Sequence, residues 1–311
     1  MMPSRTGLTW IDHVSSTQDV VLDHSTDLDH GAAAGTDDQR AGRGRNGRNW
    51  EAQPGQSVAV STLLRPARRD PPLPAQRWPW ITLSVAAAVV EVVRGWGVPA
   101  SVKWPNDVMI YDDDGTGRKL AGILAQVTRD ASGVVLGIGL NRDFSAGHRP
   151  SELAVALSDW MAPGEVPDSP SLAETLRGTV LDAVDHLARS PNPVARVRPV
   201  MHTLGQRVRA ELPGGVTLVG AASGLGESGT LLIEVEQVSA PEFDNASKSS
   251  ATIDESAGIR GKIVTGETYE VSAADVVHLR PQHPPVVSDR VEGAARKTNM
   301  YDQNEGHRAG E

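Results

Sequence analysis

The sequence predicts an α+β fold, in which a β-sheet with flanking helices is followed by a small β-barrel of the SH3 size. Within residues 76–95, apolar residues recur every three or four positions, as they do on the buried face of a helix. Residues 171–188 repeat that pattern. From about Leu204 the chain changes to short apolar runs separated by turns, which is typical of a small barrel.

These patterns divide the chain into three expected parts. We predict a first domain over residues 1–200, a barrel domain over residues 201–280 with a flexible polar insertion at 239–262, and a disordered tail at 281–311. A helix is expected from Ser16 to about Leu28, and a shorter one at 151–157. Strands are predicted at 57–64, 101–103, 108–111, 119–127, 134–140, 208–212, 216–220, 231–235 and 268–271.

Composition excludes several classes of protein. The chain of 311 residues contains no cysteine, which excludes disulfides, thiolate catalysis and cysteine-based zinc sites. Its formal net charge of -9 argues against a general nucleic-acid binder. The N-terminus does not resemble a signal peptide, and the longest apolar stretch, residues 81–93, is too short to span a bilayer. We therefore expect a soluble cytoplasmic protein that binds neither nucleic acid nor membrane. The first 12 residues leave no room for a DNA-binding helix-turn-helix.

One basic segment stands out in this acidic chain. Residues 40–50 read Arg-Ala-Gly-Arg-Gly-Arg-Asn-Gly-Arg-Asn-Trp, with four arginines and three glycines. Glycine allows the backbone to approach a ligand closely, and the guanidinium group matches phosphate and carboxylate. The segment is either a loop that closes over an anion or a solvated basic loop. We call it the Arg-Gly loop.

Two further polar motifs occur at the ends of predicted strands. Asn106 and Asp107, within Lys-Trp-Pro-Asn-Asp, form either an ordinary turn or oxygen ligands for a magnesium–nucleotide complex. Lys119 opens the apolar strand Lys-Leu-Ala-Gly-Ile-Leu beside Gly122. Its ammonium group either extends to solvent or supplies a fixed cation to a pocket.

The helix start and the glycines of a later strand also leave two readings open. Ser16 and Thr17 either cap the first helix or bind a polar ligand at its N-terminus. Gly137 lies in Gly-Ile-Gly-Leu-Asn, where glycine within a strand indicates close approach of a ligand or of another backbone. The sequence has neither a Walker A loop nor a dinucleotide-binding glycine motif between a strand and a helix, so a bound nucleotide would need another scaffold.

The order of these motifs resembles that of the biotin–protein ligases. The resemblance covers about residues 14–142 and extends weakly to about residue 280, through Leu-Gly-Gln-Arg-Val-Arg and Ala-Asp-Val-Val-His-Leu-Arg. It implies a mixed β-sheet catalytic domain with flanking helices, followed by an SH3-like barrel. It also implies ATP and Mg²⁺ as cofactors, biotin as substrate, and a biotin carboxyl carrier domain of an acetyl-/acyl-CoA or pyruvate carboxylase as partner.

The resemblance further implies a role for individual residues. Those implied to bind biotin are Ser16, Thr17, Gln39, Gly42, Arg43, Lys119, Gly122 and Gly137. Those implied to bind ATP are Arg45, Arg48, Trp50, Asn106, Asp107 and Asn141, with Asp107 also a ligand of Mg²⁺. Lys119, Arg45 and Lys103 would assist the chemistry, which joins two anions and therefore needs cations.

Some positions depart from the family pattern. Gln18 stands where asparagine is common, Gln126 where an acid often ends the strand, and Arg142 where a small apolar residue is usual. Three alternatives therefore remain open: a lipoate–protein ligase with the same fold, a module that holds biotin without transferring it, and a non-enzymatic RNA-binding protein. We also expect the Arg-Gly loop to be the least ordered part of the chain when no ligand is bound.

Overall fold

The computed structural model describes residues 2–147, 149–212, 215–239, 250–252, 262–272 and 275–278. The tail predicted at 281–311 lies outside the described residues, as does most of the insertion predicted at 239–262. In the part of the chain that is described, no helix is long and apolar enough to cross a membrane.

The main sheet has seven strands in the order β1-β2-β5-β9-β8-β7-β6. β1 and β2 are parallel and every other neighbouring pair is antiparallel, so the sheet is mixed as predicted. The strands span β1 (Leu8–Trp10), β2 (Ala33–Thr36), β5 (Ser57–Leu64), β6 (Ala100–Lys103), β7 (Asp107–Tyr111), β8 (Gly117–Val127) and β9 (Val134–Asn141). Between β2 and β5, the Arg-Gly loop forms a small hairpin of β3 (Gly42–Arg43) and β4 (Asn49–Trp50).

Helices cover both faces of this sheet. α2 (Trp80–Gly95) and α3 (Ser169–Arg189) share one core with side chains such as Val60 and Leu136. α1 (Thr17–Asp23) packs with Leu63 and Val135 instead. Because neighbouring residues of a strand point to opposite faces, α1 lies on the other side of the sheet. A short helix, α4 (Val194–Val197), follows α3.

The C-terminal part contains a five-stranded antiparallel sheet in the order β15-β12-β11-β10-β16. Its strands are β10 (Arg207–Glu211), β11 (Thr217–Leu225), β12 (Leu231–Ser239), β15 (Thr268–Val271) and β16 (Asp275–His278), and a separate pair consists of β13 (Ser250–Thr252) and β14 (Lys262–Val264). Alternate residues such as Val208, Leu218 and Ile233 are buried and join the core that α2 and α3 form. The domain boundary at residue 200 stays a prediction.

Three local predictions differ from the structure. The helix at 151–157 does not form, because the backbone of this segment pairs with β8: Lys119 N–H donates to Leu153 at 2.7 Å and Val155 N–H donates to Lys119 at 3.0 Å. α1 ends at Asp23, five residues before the expected end, and Ser25 Oγ–H bonds the carbonyl of Leu22 there at 2.8 Å. Satisfying the last carbonyls in this way ends a helix. The strands β1 and β2 were not predicted.

Candidate active site

A cavity of about 250 Å³ opens on the face of the main sheet that carries α1. Its floor consists of small residues from three strands. Ala59, Gly139 and Gly122 lie opposite one another in one row, and Ser61 and Gly137 are paired in the next. Because these residues have little or no side chain, a ligand can lie close to the backbone of the sheet.

Most of the residues predicted for the site line this cavity. They are Ser16, Thr17, Gln39, Arg43, Arg45, Arg48, Trp50, Lys103, Asn106, Asp107, Lys119, Gly122 and Gly137. The structure thus brings α1, the Arg-Gly loop, the segment between β6 and β7, and strands β5, β8 and β9 to one place. Their predicted roles remain to be tested.

The charge of the cavity wall is strongly unbalanced. Among the described lining residues the cations are Arg43, Arg45, Arg48, Lys103 and Lys119, and Asp107 is the one carboxylate. The whole chain, by contrast, carries a formal net charge of -9. A concave site lined by one sign of charge concentrates ligands of the opposite sign. The cavity is therefore suited to a ligand with several negative charges.

Lys119 lies at the centre of the charged part. Its Nζ is 2.7 Å from Oδ1 of Asp107 and 5.6 Å from the centre of the Trp50 ring. Asn106, beside Asp107, accepts a hydrogen bond from Arg45 Nη1 at 3.2 Å and donates from Nδ2 to the carbonyl of Ile123 at 2.8 Å. The Arg-Gly loop and the segment before β7 therefore meet directly over β8.

The other end of the cavity is polar and neutral. Thr17 donates its backbone N–H to Oε1 of Gln39 at 2.9 Å, and its hydroxyl lies 2.9 Å from Ser61 Oγ. Ser61 donates in turn to Oε1 of Gln18 at 3.0 Å, and Gln18 Nε2 donates to the carbonyl of Val135 at 3.0 Å. These groups include both donors and acceptors, so this end suits a neutral polar ring such as a cyclic urea.

Ser16 serves as the N-cap of α1. Its side chain accepts a hydrogen bond from the backbone N–H of Asp19 at 3.4 Å, while the residue also lines the cavity. Asp19 forms an ion pair with Arg43 Nη2 at 2.9 Å. The first turn of α1 thus holds the beginning of the Arg-Gly loop.

Trp50 packs flat against the glycine floor. A Cβ added to Gly139 would lie 2.6 Å from Cε2 of Trp50, and one added to Gly122 would lie 3.1 Å from Nζ of Lys119. At Gly137 an added Cβ would lie 2.6 Å from Oε1 of Gln18. Each of these three positions therefore has to be glycine for the neighbouring side chain to occupy its place.

Gly42 and Asn141 are not among the lining residues. Gly42 pairs with Trp50 inside the loop hairpin, where an added Cβ would lie 2.5 Å from the carbonyl oxygen of Trp50. Asn141 is 3% exposed, and its Nδ2 donates to the carbonyls of Lys119 at 3.1 Å and Val155 at 3.0 Å. The surroundings of Asn141 support a role in holding β8 rather than a contact with a nucleotide.

The donor set of the cavity fits Mg²⁺ only together with a ligand. The described residues contain no group of three or more His, Cys, Asp or Glu side chains that could hold a metal ion. Mg²⁺ is usually held by one or two carboxylates, several waters and the phosphates of a substrate, rather than by a complete cage of protein ligands. Asp107 supplies one such carboxylate, and its neighbour Asn106 supplies a carbonyl oxygen.

Two histidines and a tyrosine stack beside the segment that carries Asp107. The ring centres of Tyr111 and His202 are 3.6 Å apart, and those of Tyr111 and His278 are 5.7 Å apart. Burial lowers the pKa of His278 to about 4, helped by the nearby charge of Lys103. Burial also lowers the pKa of His202 and raises the pKa of Tyr111, to which the charge of Asp107 contributes. All three rings are therefore neutral at pH 7.

Several lining residues were missed by the sequence interpretation. Ser61 lies in a strand whose residues are all buried, and a serine there was a signal that the strand's face is not purely apolar. Gln18 was noted only as a departure from the family pattern, although its side chain crosses to β9. Trp104 and Gly139 also line the cavity. Val276 of β16 does too, and no local pattern connected this distant strand with the site.

The fold has solved counterparts. The chain resembles the biotin protein ligase from Aquifex aeolicus in complex with biotin and ATP, with a TM-score of 0.60 and 24% sequence identity over 88% of this chain and 99% of that one. At this level of identity the likeness establishes the fold. Fold and cavity together thus define an α+β protein of the ligase type with a cationic site on its main sheet.

Sequence comparison assigns the family. The model of the Biotin/lipoate A/B protein ligase family matches residues 10–141. The biotin--[acetyl-CoA-carboxylase] ligase of Mycobacterium tuberculosis is 33% identical over 248 residues, covering 78% of this chain and 77% of that protein. The bifunctional ligase/repressor BirA of Bacillus subtilis is 30% identical over 238 residues, covering 74% and 70%. The chain belongs to the biotin–protein ligases of this family, as its motifs predicted.

Proposed function

We propose that the chain activates biotin with ATP to biotinyl-5′-AMP and transfers the biotinyl group to a lysine of a biotin carboxyl carrier domain. The observation that carries this proposal is the division of one cavity into two ends. A neutral end, built from Thr17, Gln39 and Ser61, adjoins a charged end centred on Lys119. Biotin has a neutral ureido ring at one end and a carboxylate at the other, and ATP adds further negative charge.

The neutral end would hold the ureido ring. A cyclic urea has one carbonyl acceptor and two N–H donors, so a matching site needs both donors and acceptors. The Thr17 and Ser61 hydroxyls can act in either sense, and Gln39 offers an amide carbonyl. The bare floor at Gly122 and Gly137 leaves room for the valeryl chain to run towards Lys119.

The charged end would carry out adenylate formation. A carboxylate oxygen of biotin attacks the α-phosphorus of ATP, the bond from that phosphorus to the bridging oxygen breaks, and pyrophosphate leaves. Because this step joins two anions, cations must reduce their repulsion and stabilise the charge that develops on the phosphoryl oxygens. Lys119 is positioned for the carboxylate and the acyl phosphate, while Arg45, Arg48 and Lys103 are positioned for the phosphates.

Mg²⁺, when bound, neutralises charge on the phosphates of ATP. Asp107 and Asn106 would hold it. In the described state Oδ1 of Asp107 is paired with Lys119, so the carboxylate of biotin can replace Asp107 as the partner of this lysine. That exchange would place Lys119 on the substrate and leave Asp107 to the nucleotide.

The second step needs no nucleophile from this chain. The amine nitrogen of the acceptor lysine attacks the acyl carbon, the bond from that carbon to the phosphate oxygen breaks, AMP leaves, and the amine loses a proton. The Arg-Gly loop and Trp50 cover the cavity floor, so we assign them the task of shielding the mixed anhydride from water. Because the reaction consumes ATP and modifies a carboxylase, we propose a cytoplasmic location.

Intact-mass measurement tests this proposal directly. The protein is incubated with biotin, Mg²⁺-ATP and a carrier domain from an acetyl-CoA carboxylase, with carrier domains of an acyl-CoA carboxylase and a pyruvate carboxylase as further acceptors. We expect the addition of one biotinyl group, and its absence from every carrier domain would overturn the proposal. Replacing biotin by lipoate in ATP–pyrophosphate exchange separates the two branches of the family, and we expect exchange with biotin alone.

A further inference from the structure

The segment Trp104–Asp107, which joins β6 to β7, is anchored by the C-terminal part of the chain. The Trp104 side chain is almost fully buried, and its Nε1–H donates to the carbonyl of Gly229 at 3.0 Å. Its backbone N–H donates to Oγ1 of Thr203 at 2.9 Å. Two separate parts of the chain, the turn between β11 and β12 and the segment before β10, thus hold a single residue of the site.

Thr203 is the more restrictive of these two anchors. It has no exposed surface, and its hydroxyl lies 3.1 Å from Nε2 of His278. Since Trp104 N–H already donates to this oxygen, the hydroxyl hydrogen of Thr203 is directed to the neutral His278 ring. Nδ1 of that ring lies 3.3 Å from the hydroxyl of Tyr111, at the far end of β7. The hydrogen-bond chain therefore spans from one end of β7 to the other.

The opposite side of the same segment carries the groups assigned to the nucleotide. Asn106 and Ile123 exchange two hydrogen bonds, at 2.8 Å and 3.0 Å, and Asp107 pairs with Lys119. The segment is therefore fixed between β8 on one side and Thr203 on the other. Releasing the Thr203 side would let the backbone at Trp104 turn while β8 still holds Asn106.

We propose that Thr203 is a positioning residue for nucleotide binding: it orients Asn106 and Asp107 through the Trp104 backbone, and His278 orients its hydroxyl. This proposal rests on the proposed function, because it takes the ligand near Asp107 to be Mg²⁺-ATP. It gives the C-terminal sheet a defined task at a site that lies mainly on the other sheet. Thr203 touches neither biotin nor ATP in this account.

The test replaces Thr203 in two ways. Thr203→Val keeps the shape of the side chain but removes the acceptor for Trp104 N–H, whereas Thr203→Ser keeps the hydroxyl. Thr268→Val, on an exposed position of β15, is the matched control for the same change in the C-terminal sheet. Two readouts are measured: hydrogen exchange of the Trp104 amide, and the KM for Mg²⁺-ATP beside the Kd for biotin.

We expect Thr203→Val to speed exchange of the Trp104 amide and to raise the KM for Mg²⁺-ATP about tenfold, which corresponds to leaving one buried N–H without an acceptor. The Kd for biotin should change less than about twofold, because the neutral end of the cavity is held by other hydrogen bonds. Thr203→Ser should restore both values. His278→Leu, which leaves the acceptor in place, should have a smaller effect of about threefold.

The two proposals fail in different ways. If Thr203→Val leaves the exchange of the Trp104 amide unchanged, or weakens biotin and Mg²⁺-ATP equally, Thr203 is not a positioning residue for the nucleotide. If the wild-type protein forms no biotinyl adenylate, the proposed function fails, and with it the assignment to Mg²⁺-ATP. The exchange measurement still decides in that case whether Thr203 holds the segment.

Discussion

Replacing Lys119 by alanine would test the charged end of the cavity most directly. The change removes one of the five described cations that line it and leaves the Asp107 carboxylate, whose Oδ1 is now 2.7 Å from Lys119 Nζ, without that partner. The attacking carboxylate of biotin would then meet the phosphates of ATP beside an uncompensated negative charge. We expect adenylate formation to slow while the fold is retained.

The size of the effect follows from the distance and the exposure of the group. Two unit charges about 4 Å apart interact with about 4 kcal/mol at an effective dielectric constant of about 20. The Lys119 side chain is 37% exposed, so water screens part of this interaction. We therefore expect a loss of about 3 kcal/mol of transition-state stabilisation, or about a hundredfold in rate.

The assay is ATP–pyrophosphate exchange, with pyrophosphate release measured in parallel. The matched control is Arg118→Ala, because Arg118 is the neighbouring cation on β8 but pairs with Asp112 and does not line the cavity. Arg118→Ala should keep nearly full activity. Pyrophosphate release by Lys119→Ala at close to the wild-type rate would refute the role given to this lysine.

Two more predictions concern the glycine floor and the histidines. Gly139→Ala would place a Cβ 2.6 Å from Trp50 and displace its ring, so we expect faster tryptic cleavage within the Arg-Gly loop of the ligand-free protein; unchanged cleavage would contradict this. Burial lowers the pKa of His278 from 6.5 to about 4. Between these values the unfolded chain binds more protons, so stability should fall with pH from about 6.5 towards 4. Equal urea midpoints at pH 7 and pH 5 would exclude it, and His278→Leu should depend less on pH.

Features that depend on neighbouring residues were predictable from the sequence. The stripe of Ile81, Val85 and Val89 is a local pattern, and these residues are buried in α2 as expected. The Arg-Gly loop and Lys-Trp-Pro-Asn-Asp are contiguous motifs, so their residue types announce an anion site before any fold is known. Their arrival in one cavity is a property of strand order, which residue patterns leave open.

Features that depend on distant partners were not predictable. Thr203 is an isolated polar residue in an irregular segment, and its importance comes from Trp104, far away in the chain. Asn141 ends a motif and was expected at ATP, yet its position in the sheet turns its amide towards two backbone carbonyls. The 151–157 segment has a sequence compatible with a helix, but pairing with β8 offers its backbone other partners. In each case a tertiary contact determines the outcome.

The alternation along β9 has a consequence for protein engineering. Leu136, Ile138 and Leu140 are 0%, 1% and 0% exposed and belong to the core, whereas Gly137 and Gly139 form part of the ligand floor. The residues that stabilise this strand are thus separate from those that select its ligand. A library that varies the two glycines together with Trp50 and Gln18, their neighbours across the cavity, could redesign ligand selectivity without altering any core residue of the strand.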